Sequence, residues 1–226
     1  STLVALDAVL RVRGPKGERE VPISQWYQGV GKVALAPYEL LVKIVIPYDN
    51  YVGYTGHYIK YAQRNAMDIA TLGVSCLVKL TSDKKMVDDA ALAFGVAGPV
   101  PMRSPAAEAA VRGLPIGEAV AAIGEAALAD VNPRTSWRAS KEFRIQLVKE
   151  LSARALREAP VTVAAKTGSP QLADTLPGGS HYVNSVLIGY APADDPQIAM
   201  AVVLEYGGGG ANAAPVMRAV LDAWFE

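Results

Sequence analysis

Residues 70–96 read ATLGVSCLVKLTSDKKMVDDAALAFGV. Two apolar runs, 70–81 and 86–96, flank Ser82-Asp83-Lys84-Lys85, a polar tetrapeptide of the kind that closes a turn. That pattern predicts two antiparallel strands joined by a short connection. Residues 58–63 precede them as another strand, after a Tyr/Gly/Asn-rich connector at 48–56. Further back, VKIVIP at 42–47 is a strand closed by its proline. Residues 3–12 and 18–23 alternate loosely around Gly14-Pro15-Lys16-Gly17 and predict a hairpin.

After residue 96 the period changes. Ser104 is placed to cap a helix with Pro105 at its first position, running to Arg112 and stopping at Gly113. Ile116, Val120, Ile123 and Ala127 share one face of a second helix. Phe143, Leu147, Leu151 and Ala155 share a face of a third. Beyond Ala159-Pro160 the strand period returns at 161–167, 184–190 and 197–206, with a tight turn at 191–196. Gly207 to Gly210 reads as a flexible link to a last helix, whose apolar face is Val216, Ala219, Val220, Ala223 and Trp224. The tail's strands need a sheet, supplied either by the earlier domain or by another chain. The fold class expected is α+β: an antiparallel sheet with flanking helices, followed by a strand-hairpin-helix tail.

Composition narrows the function. The chain has 226 residues, 51% of them apolar, which suits a globular protein of one large or two small domains. Its 22 basic and 22 acidic side chains cancel, which argues against a phosphate-neutralising nucleic-acid binder. The most basic stretch, 134–157, reads as a solvated helix face or a subunit contact. A single cysteine, Cys76, excludes an internal disulfide and a cysteine-ligated zinc site, and its neighbours place it in a strand core. No apolar run reaches bilayer-spanning length. The chain opens at Ser1 without a methionine or a signal segment, as expected of a processed product or a fragment. Asp88-Asp89 and Asp194-Asp195 read as solvated turn carboxylates, and His57 and His181 as lone loop histidines without a metal cluster. Gly29-Val30-Gly31-Lys32 lacks phosphate-loop spacing.

Lys166-Thr167-Gly168-Ser169 carries the clearest chemistry. On an edge strand, the Lys166 ammonium supplies positive charge to a carboxylate-bearing peptide and Thr167 a hydroxyl donor. Gly168 lets a substrate backbone come close, and the Ser169 amide can face a developing oxyanion. A nucleophile is still required.

Residues 1 to about 158 resemble the flavin-binding medium subunit of molybdenum hydroxylases, the xanthine and carbon monoxide dehydrogenase class. The resemblance is carried in order by LVALDAVLRVRGPKGEREVPISQWYQG, GKVALAPYELLVKIVIP, YIKYAQRNAMDIATLGVSCLV, ALAFGVAGPVPMRSPAAEAAVRG and NPRTSWRASKEFRIQLVKELSARAL. It implies the remnant of a flavin-binding lobe at 1–55 and an α+β C-terminal domain at 56–158. It further implies FAD as cofactor, flavin contacts at Leu40, Leu41 and Lys60, partner molybdopterin and iron–sulfur subunits, and a cytoplasmic location. The family's pyrophosphate-binding loops precede the point where this chain opens, so poor or nil FAD affinity is expected of it alone.

Residues 160–226 resemble the C-terminal segment of penicillin-binding protein transpeptidase domains, in which a KTG strand, a GYAP hairpin, a Gly-rich turn and an AAP-started helix follow in order. This implies substrate binding by Lys166, Thr167, Gly168 and Ser169, in an extracytoplasmic protein. The family's other motifs are missing: Ser82…Lys85 matches Ser-x-x-Lys only in letters, and no Ser-x-Asn occurs. Three readings follow. The chain is an electron-transfer flavin-subunit fragment not active alone, or a transpeptidase fragment, or a chimeric or designed scaffold without catalysis. An oligomer is compatible with each.

Overall fold

A computed structural model describes residues 1–64, 68–159, 164–175, 181–193 and 196–225, with the side chains of 164 and 173–175 left out. The chain divides into two compact units, Ser1–Pro160 and Val161–Glu226. Every described strand pair is antiparallel.

The first unit opens with a short helix, α1 (Thr2–Ala5), where alternation had predicted strand. Strands β1 (Val9–Gly14) and β2 (Gly17–Pro22) form the expected hairpin, followed by α2 (Ile23–Trp26). A small ribbon of β3 (Tyr27–Gly29) and β4 (Lys32–Val33) comes next, then β5 (Leu40–Val45), which completes a sheet of order β2-β1-β5. The main sheet, of order β6-β7-β8-β9, holds β6 (Thr55–Tyr61), β7 (Leu72–Leu80), β8 (Val87–Gly95) and β9 (Met102–Arg103). Ser82 to Lys85 form the β7–β8 turn, where the Lys84 amide donates to Thr81 O at 2.8 Å and Lys84 takes φ 58°.

Helices α3 (Pro105–Val111), α4 (Ile116–Ala126) and α5 (Lys141–Glu158) follow. Gly113 ends α3 at φ +79°, as a left-handed terminus requires. Ser104, however, does not cap α3 with its own side chain. Its hydroxyl donates to Asp130 Oδ2 (2.8 Å), and that carboxylate accepts the Ala106 amide (2.9 Å), so Asp130 caps the helix from a distant loop.

The β7–β8 hairpin is buried on both faces. Leu72, Val74, Cys76 and Val78 of β7, with Leu92 and Phe94 of β8, face a core completed by Ile123, Leu147, Val148, Leu151 and Leu156 from the helices. The alternate residues Ala91 and Ala93 belong to a second core with Val4, Leu10, Val12, Ile23 and Trp26. Two-sided burial explains why the sequence lacks polar alternation here. Cys76 is fully buried, and burial pushes its thiol up to about 12.

α5 is rotated from the predicted face. Leu147, Leu151 and Ala155 are buried with Val148 and Leu156, whereas Phe143 is 43% exposed and packs edge-on against Tyr61. Arg144 takes the buried place, so the basic stretch is not wholly a solvated face. Asp89 also departs from its reading as a turn carboxylate. It lies on β8 and accepts from Tyr54 and Arg112. Burial pushes its carboxyl up, but those two hydrogen bonds outweigh burial and leave it below its ordinary value.

The described strands of the second unit include a sheet of order β10-β13-β14. Its strands are β10 (Ala164–Gly168), β11 (Gln171–Thr175), β12 (His181–Val183), β13 (Ser185–Ala191) and β14 (Ile198–Leu204), with β11 and β12 a separate ribbon. The expected strand residues 161–163 and Asp194-Asp195 lie outside the described residues. Helix α6 (Ala214–Phe225) buries Met217 and Leu221 against Leu187 and Ala191. The apolar stripe read from the sequence is the outward one, with Val216, Val220 and Trp224 exposed. Gly207 and Gly210, at the ends of the glycine run, are closely packed, whereas Gly209 is open. A Cβ on Gly210 would lie 2.6 Å from Gly168 O, and one on Gly207 2.7 Å from Leu204 Cβ.

Gly124 lets α4 approach α5, because an added Cβ would stand 2.5 Å from the Lys149 carbonyl oxygen and 2.9 Å from its Cα. Gly124→Ala should therefore cost about 1–3 kcal/mol in urea unfolding. Gly117→Ala, on the same helix with nothing near its Cβ, should be neutral or stabilise by up to ~1 kcal/mol. Equal effects at the two sites would refute the close-crossing account.

Candidate functional site

The residues singled out in the sequence fall in two places. Leu40 and Leu41 open β5, which pairs with β1 on one side only. Leu40 is 71% exposed and Leu41 40% exposed. Val42, Ile44 and Ile46 beside them are exposed as well. This is an apolar strand at a sheet edge, able to lie against a flat apolar ring.

The segment leading into it is clamped. Arg19 donates from Nε to Glu39 Oε1 (2.8 Å) and from Nη2 to Oε2 (2.7 Å), and the Ala36 amide donates to Oε2 (2.7 Å). Arg19 Nη2 also donates to Ala34 O at 2.7 Å. The Arg19 hydrogen bond first, then that of Ala36, holds the Glu39 carboxyl down at about 2. Sequence reading passed over this pair, although Glu39 directly precedes the two leucines.

Lys60 stands on β6, in register with Gly73 of β7, so it belongs to the main sheet and not to that of Leu40 and Leu41. Its ammonium donates to Asp68 O at 2.6 Å. Tyr58 lies on the same strand face as Lys60, its hydroxyl over Gly73, where an added Cβ would meet it at 3.2 Å. Leu40 and Leu41 thus offer exposed apolar surface on one sheet, and Lys60 an exposed ammonium on another. Gly29 to Lys32 form the β3–β4 turn, with Gly31 at φ +70°.

Lys166, Thr167 and Gly168 are on β10, the edge strand, paired with Ile188, Leu187 and Val186. Lys166 and Thr167 are exposed, and the Lys166 ammonium donates to Thr167 O at 2.8 Å. Ser169 Oγ accepts the Gly210 amide at 2.7 Å, while Ser185 Oγ donates to Gly210 O at 2.9 Å. The glycine-rich stretch is thus stapled beside the KTG strand. Ser82 and Lys85 sit in the β7–β8 turn, without the helical spacing a Ser-x-x-Lys nucleophile uses.

His57 is not a lone loop residue. It lies on β6, its Nε2 2.8 Å from Glu158 Oε2 near the end of α5. Among the described residues, no group of three or more His, Cys, Asp or Glu could hold a metal ion, and no helix is long and apolar enough to cross a membrane.

Three family models match the chain. The CO dehydrogenase flavoprotein C-terminal domain matches residues 57–159, and the FAD binding domain in molybdopterin dehydrogenase matches residues 1–49. The penicillin binding protein transpeptidase domain matches residues 130–222. The xanthine dehydrogenase FAD-binding subunit of Escherichia coli O157:H7 is 39% identical over 161 residues, which are 71% of this chain and 54% of that protein. The peptidoglycan D,D-transpeptidase of Acinetobacter baumannii is 32% identical over 98 residues, 39% of this chain and 14% of that protein. Among solved structures, carbon monoxide dehydrogenase from Hydrogenophaga pseudoflava matches with a TM-score of 0.62 at 28% identity, covering 69% of this chain and 53% of that one.

The chain spans about half the length of the flavin-subunit relatives it matches. Residues 1–159 are similar in sequence and fold to the FAD-binding medium subunit of the xanthine and carbon monoxide dehydrogenase family. Residues 130–159 fall in both the flavoprotein and the transpeptidase matches. In the structure they lie within the first unit, where α5 packs on β6 and β7.

The Arg19–Glu39 clamp gives a pH signature. A carboxylate held at about 2 contributes order that is fully present above its ordinary 4.5 and lost as pH falls through about 2. Titration of Glu39 by NMR should show that depressed midpoint, and Arg19→Gln should return it toward 4.5. An unchanged midpoint in the variant would exclude the clamp.

Proposed function

We propose that residues 1–159 act as a fragment or truncated homologue of the flavin subunit of a molybdenum hydroxylase, an electron-transfer component not active alone. The observation that carries this reading is the 39% identity over 161 residues to a xanthine dehydrogenase FAD-binding subunit. In it, residues 1–55 are the remnant of a flavin-binding lobe, 56–158 the α+β C-terminal domain, and 160–226 a transpeptidase-like segment. Leu40 and Leu41 offer the flavin an apolar, water-excluding face, and Lys60 places positive charge near the ring's electron-rich edge. FAD, when bound, supplies a carrier for one or two electrons. Molybdopterin and iron–sulfur subunits are the partners, and the cytoplasm is the compartment.

The test is a flavin-fluorescence titration of the purified chain with FAD. Quenching should saturate weakly, with Kd in the range of about 10 µM to 1 mM. Lys60→Met should weaken it about fivefold, equivalent to ~1 kcal/mol for a partly solvated charge. No quenching at 1 mM protein, or a Lys60→Met chain that binds as tightly as the parent, would overturn the assignment.

The exposed KTG edge strand supports a second element. Lys166, Thr167, Gly168 and Ser169 form a peptide-recognition edge without its nucleophile, which makes the chain as a whole a chimera of two ancestries. A fluorescent penicillin should therefore leave no covalent label after denaturation. A stable acyl adduct, mapped by peptide mass to any serine, would sink this reading and favour a transpeptidase.

A further inference from the structure

Neither reading uses the loop at 131–140, which leads into α5. Arg144 organises this loop from below. Its buried side chain donates from Nε to Thr71 O (3.2 Å), from Nη1 to Arg134 O, and from Nη2 to Ser136 Oγ (2.8 Å). A fourth, longer bond runs from Nη1 to Ala139 O (3.5 Å), and all four acceptors are neutral. Among the described residues, no carboxylate forms a close ion pair with Arg134, Arg138 or Arg144, while Lys141 interacts electrostatically with its neighbour Glu142. A buried cation is normally compensated by a counter-charge, and here it is not. Burial, then the charges of Arg134 and Arg138, lowers the Arg144 pKa.

The loop's outer surface carries one aromatic ring with a cation stacked on it, and Arg134 and Lys141 lie in the same segment. The Arg138 guanidinium lies 4.2 Å from the centroid of Trp137, and Trp137 is 78% exposed. Arg138 Nε is buried and donates to nothing. The Gln63 amide pins the Arg138 carbonyl at 3.3 Å, and Lys141 reaches Asn132 Oδ1 at 3.3 Å from the first residue of α5. A chain with no net charge thus sets an Arg138 guanidinium without a carboxylate partner on an exposed indole, in a segment that also carries Arg134.

We propose that this loop is a docking surface for an acidic segment of a partner protein, with Trp137 as the apolar anchor and Arg134, Arg138 and Lys141 as its carboxylate-binding rim. Charge complementarity selects the partner. Uncompensated guanidinium groups favour planar carboxylates, which they bind with two parallel hydrogen bonds. Tryptophan and arginine are also the side chains that dominate protein–protein contacts energetically. The zero net charge and the small extent of the patch favour a protein over nucleic acid. The inference rests on exposure and charge alone and is independent of the flavin assignment.

The test uses the full chain labelled with nitrogen-15 and reads the indole N–H resonances of its three tryptophans, with Trp137→Phe assigning the Trp137 signal. The probe is a peptide of four glutamates, one leucine and four glutamates. Its lysine counterpart and a ten-nucleotide oligothymidylate serve as controls. The glutamate peptide should move the Trp137 resonance with Kd below about 1 mM. Raising salt from about 50 to 300 mM should weaken binding severalfold. Arg134→Gln, a change at an exposed side chain, should weaken it about threefold, and Arg134→Gln with Arg138→Gln about tenfold. Should the double variant fail to unfold cooperatively, Arg134→Gln and the salt series decide. No movement with the glutamate peptide, an equal response to the lysine peptide, a stronger response to the oligonucleotide, or unchanged affinity in Arg134→Gln would overturn the proposal.

Discussion

Burial of both faces of the β7–β8 hairpin is the constraint on which the first unit depends. Even-numbered β7 side chains from Leu72 to Val78 fill the helix-side core, and the alternate positions face α1 and the β1–β2 hairpin. The second face works because its residues are small. Gly73, Ser75, Ala91 and Ala93 let the N-terminal segment approach closely enough for Thr2 Oγ1 to reach Ser75 Oγ at 2.9 Å. A one-residue slip would send the large side chains to the crowded face and the small ones to the helix side, so the register is held from both directions.

Polar ties then join what the two cores leave apart. Arg103 donates to Glu108 (2.6 Å) and to Asp7 (2.8 Å), while Glu108 accepts the Leu92 amide at 2.9 Å. That network links β8, α3 and the turn after α1 in a partly buried setting where charge-assisted hydrogen bonds count for more than at the surface. Asp130 and Arg144 do the same for the helices: one carboxylate supplies the cap that Ser104 does not, and one guanidinium binds the oxygens of a loop and of Thr71. The similarity to flavin subunits and the likeness to a transpeptidase domain overlap across α5. Contacts assign α5 to the first unit, although both family matches include it.

Much of the architecture was legible before the structure. The turn at Ser82 to Lys85, the three helices after Ser104 and the edge position of the KTG strand all follow from local pattern. The errors share one cause. A stripe of apolar residues says that a face can be buried, not that it is, so α6 buries Met217 and Leu221 and leaves Trp224 57% exposed. Phe143 and Arg144 exchange the roles their chemistry suggests, because Arg144 finds four oxygens beneath it and Phe143 needs only the edge of Tyr61. Gly207 to Gly210 looked flexible because glycine is permissive, whereas at Gly207 and Gly210 glycine is required by the closeness of Leu204 and the Gly168 backbone.

The candidate sites divide in the same way. The Lys166 to Ser169 tetrapeptide drew attention by its own residue types, whereas Leu40, Leu41 and Lys60 did so only through the resemblance to flavin subunits. Sequence alone determined the α+β class and the strand-rich tail, because period-2 and period-3.6 patterns are written along the chain. Tertiary structure alone decided that Leu40 and Leu41 lie on an open edge behind an Arg19–Glu39 clamp, that His57 meets Glu158, and that buried Arg144 is held by neutral oxygens beneath the loop carrying Arg134 and Arg138. The physical reason is that burial, ion pairing and exposure depend on which distant segments share a neighbourhood, and hydrophobic packing sets that through contacts no local pattern encodes.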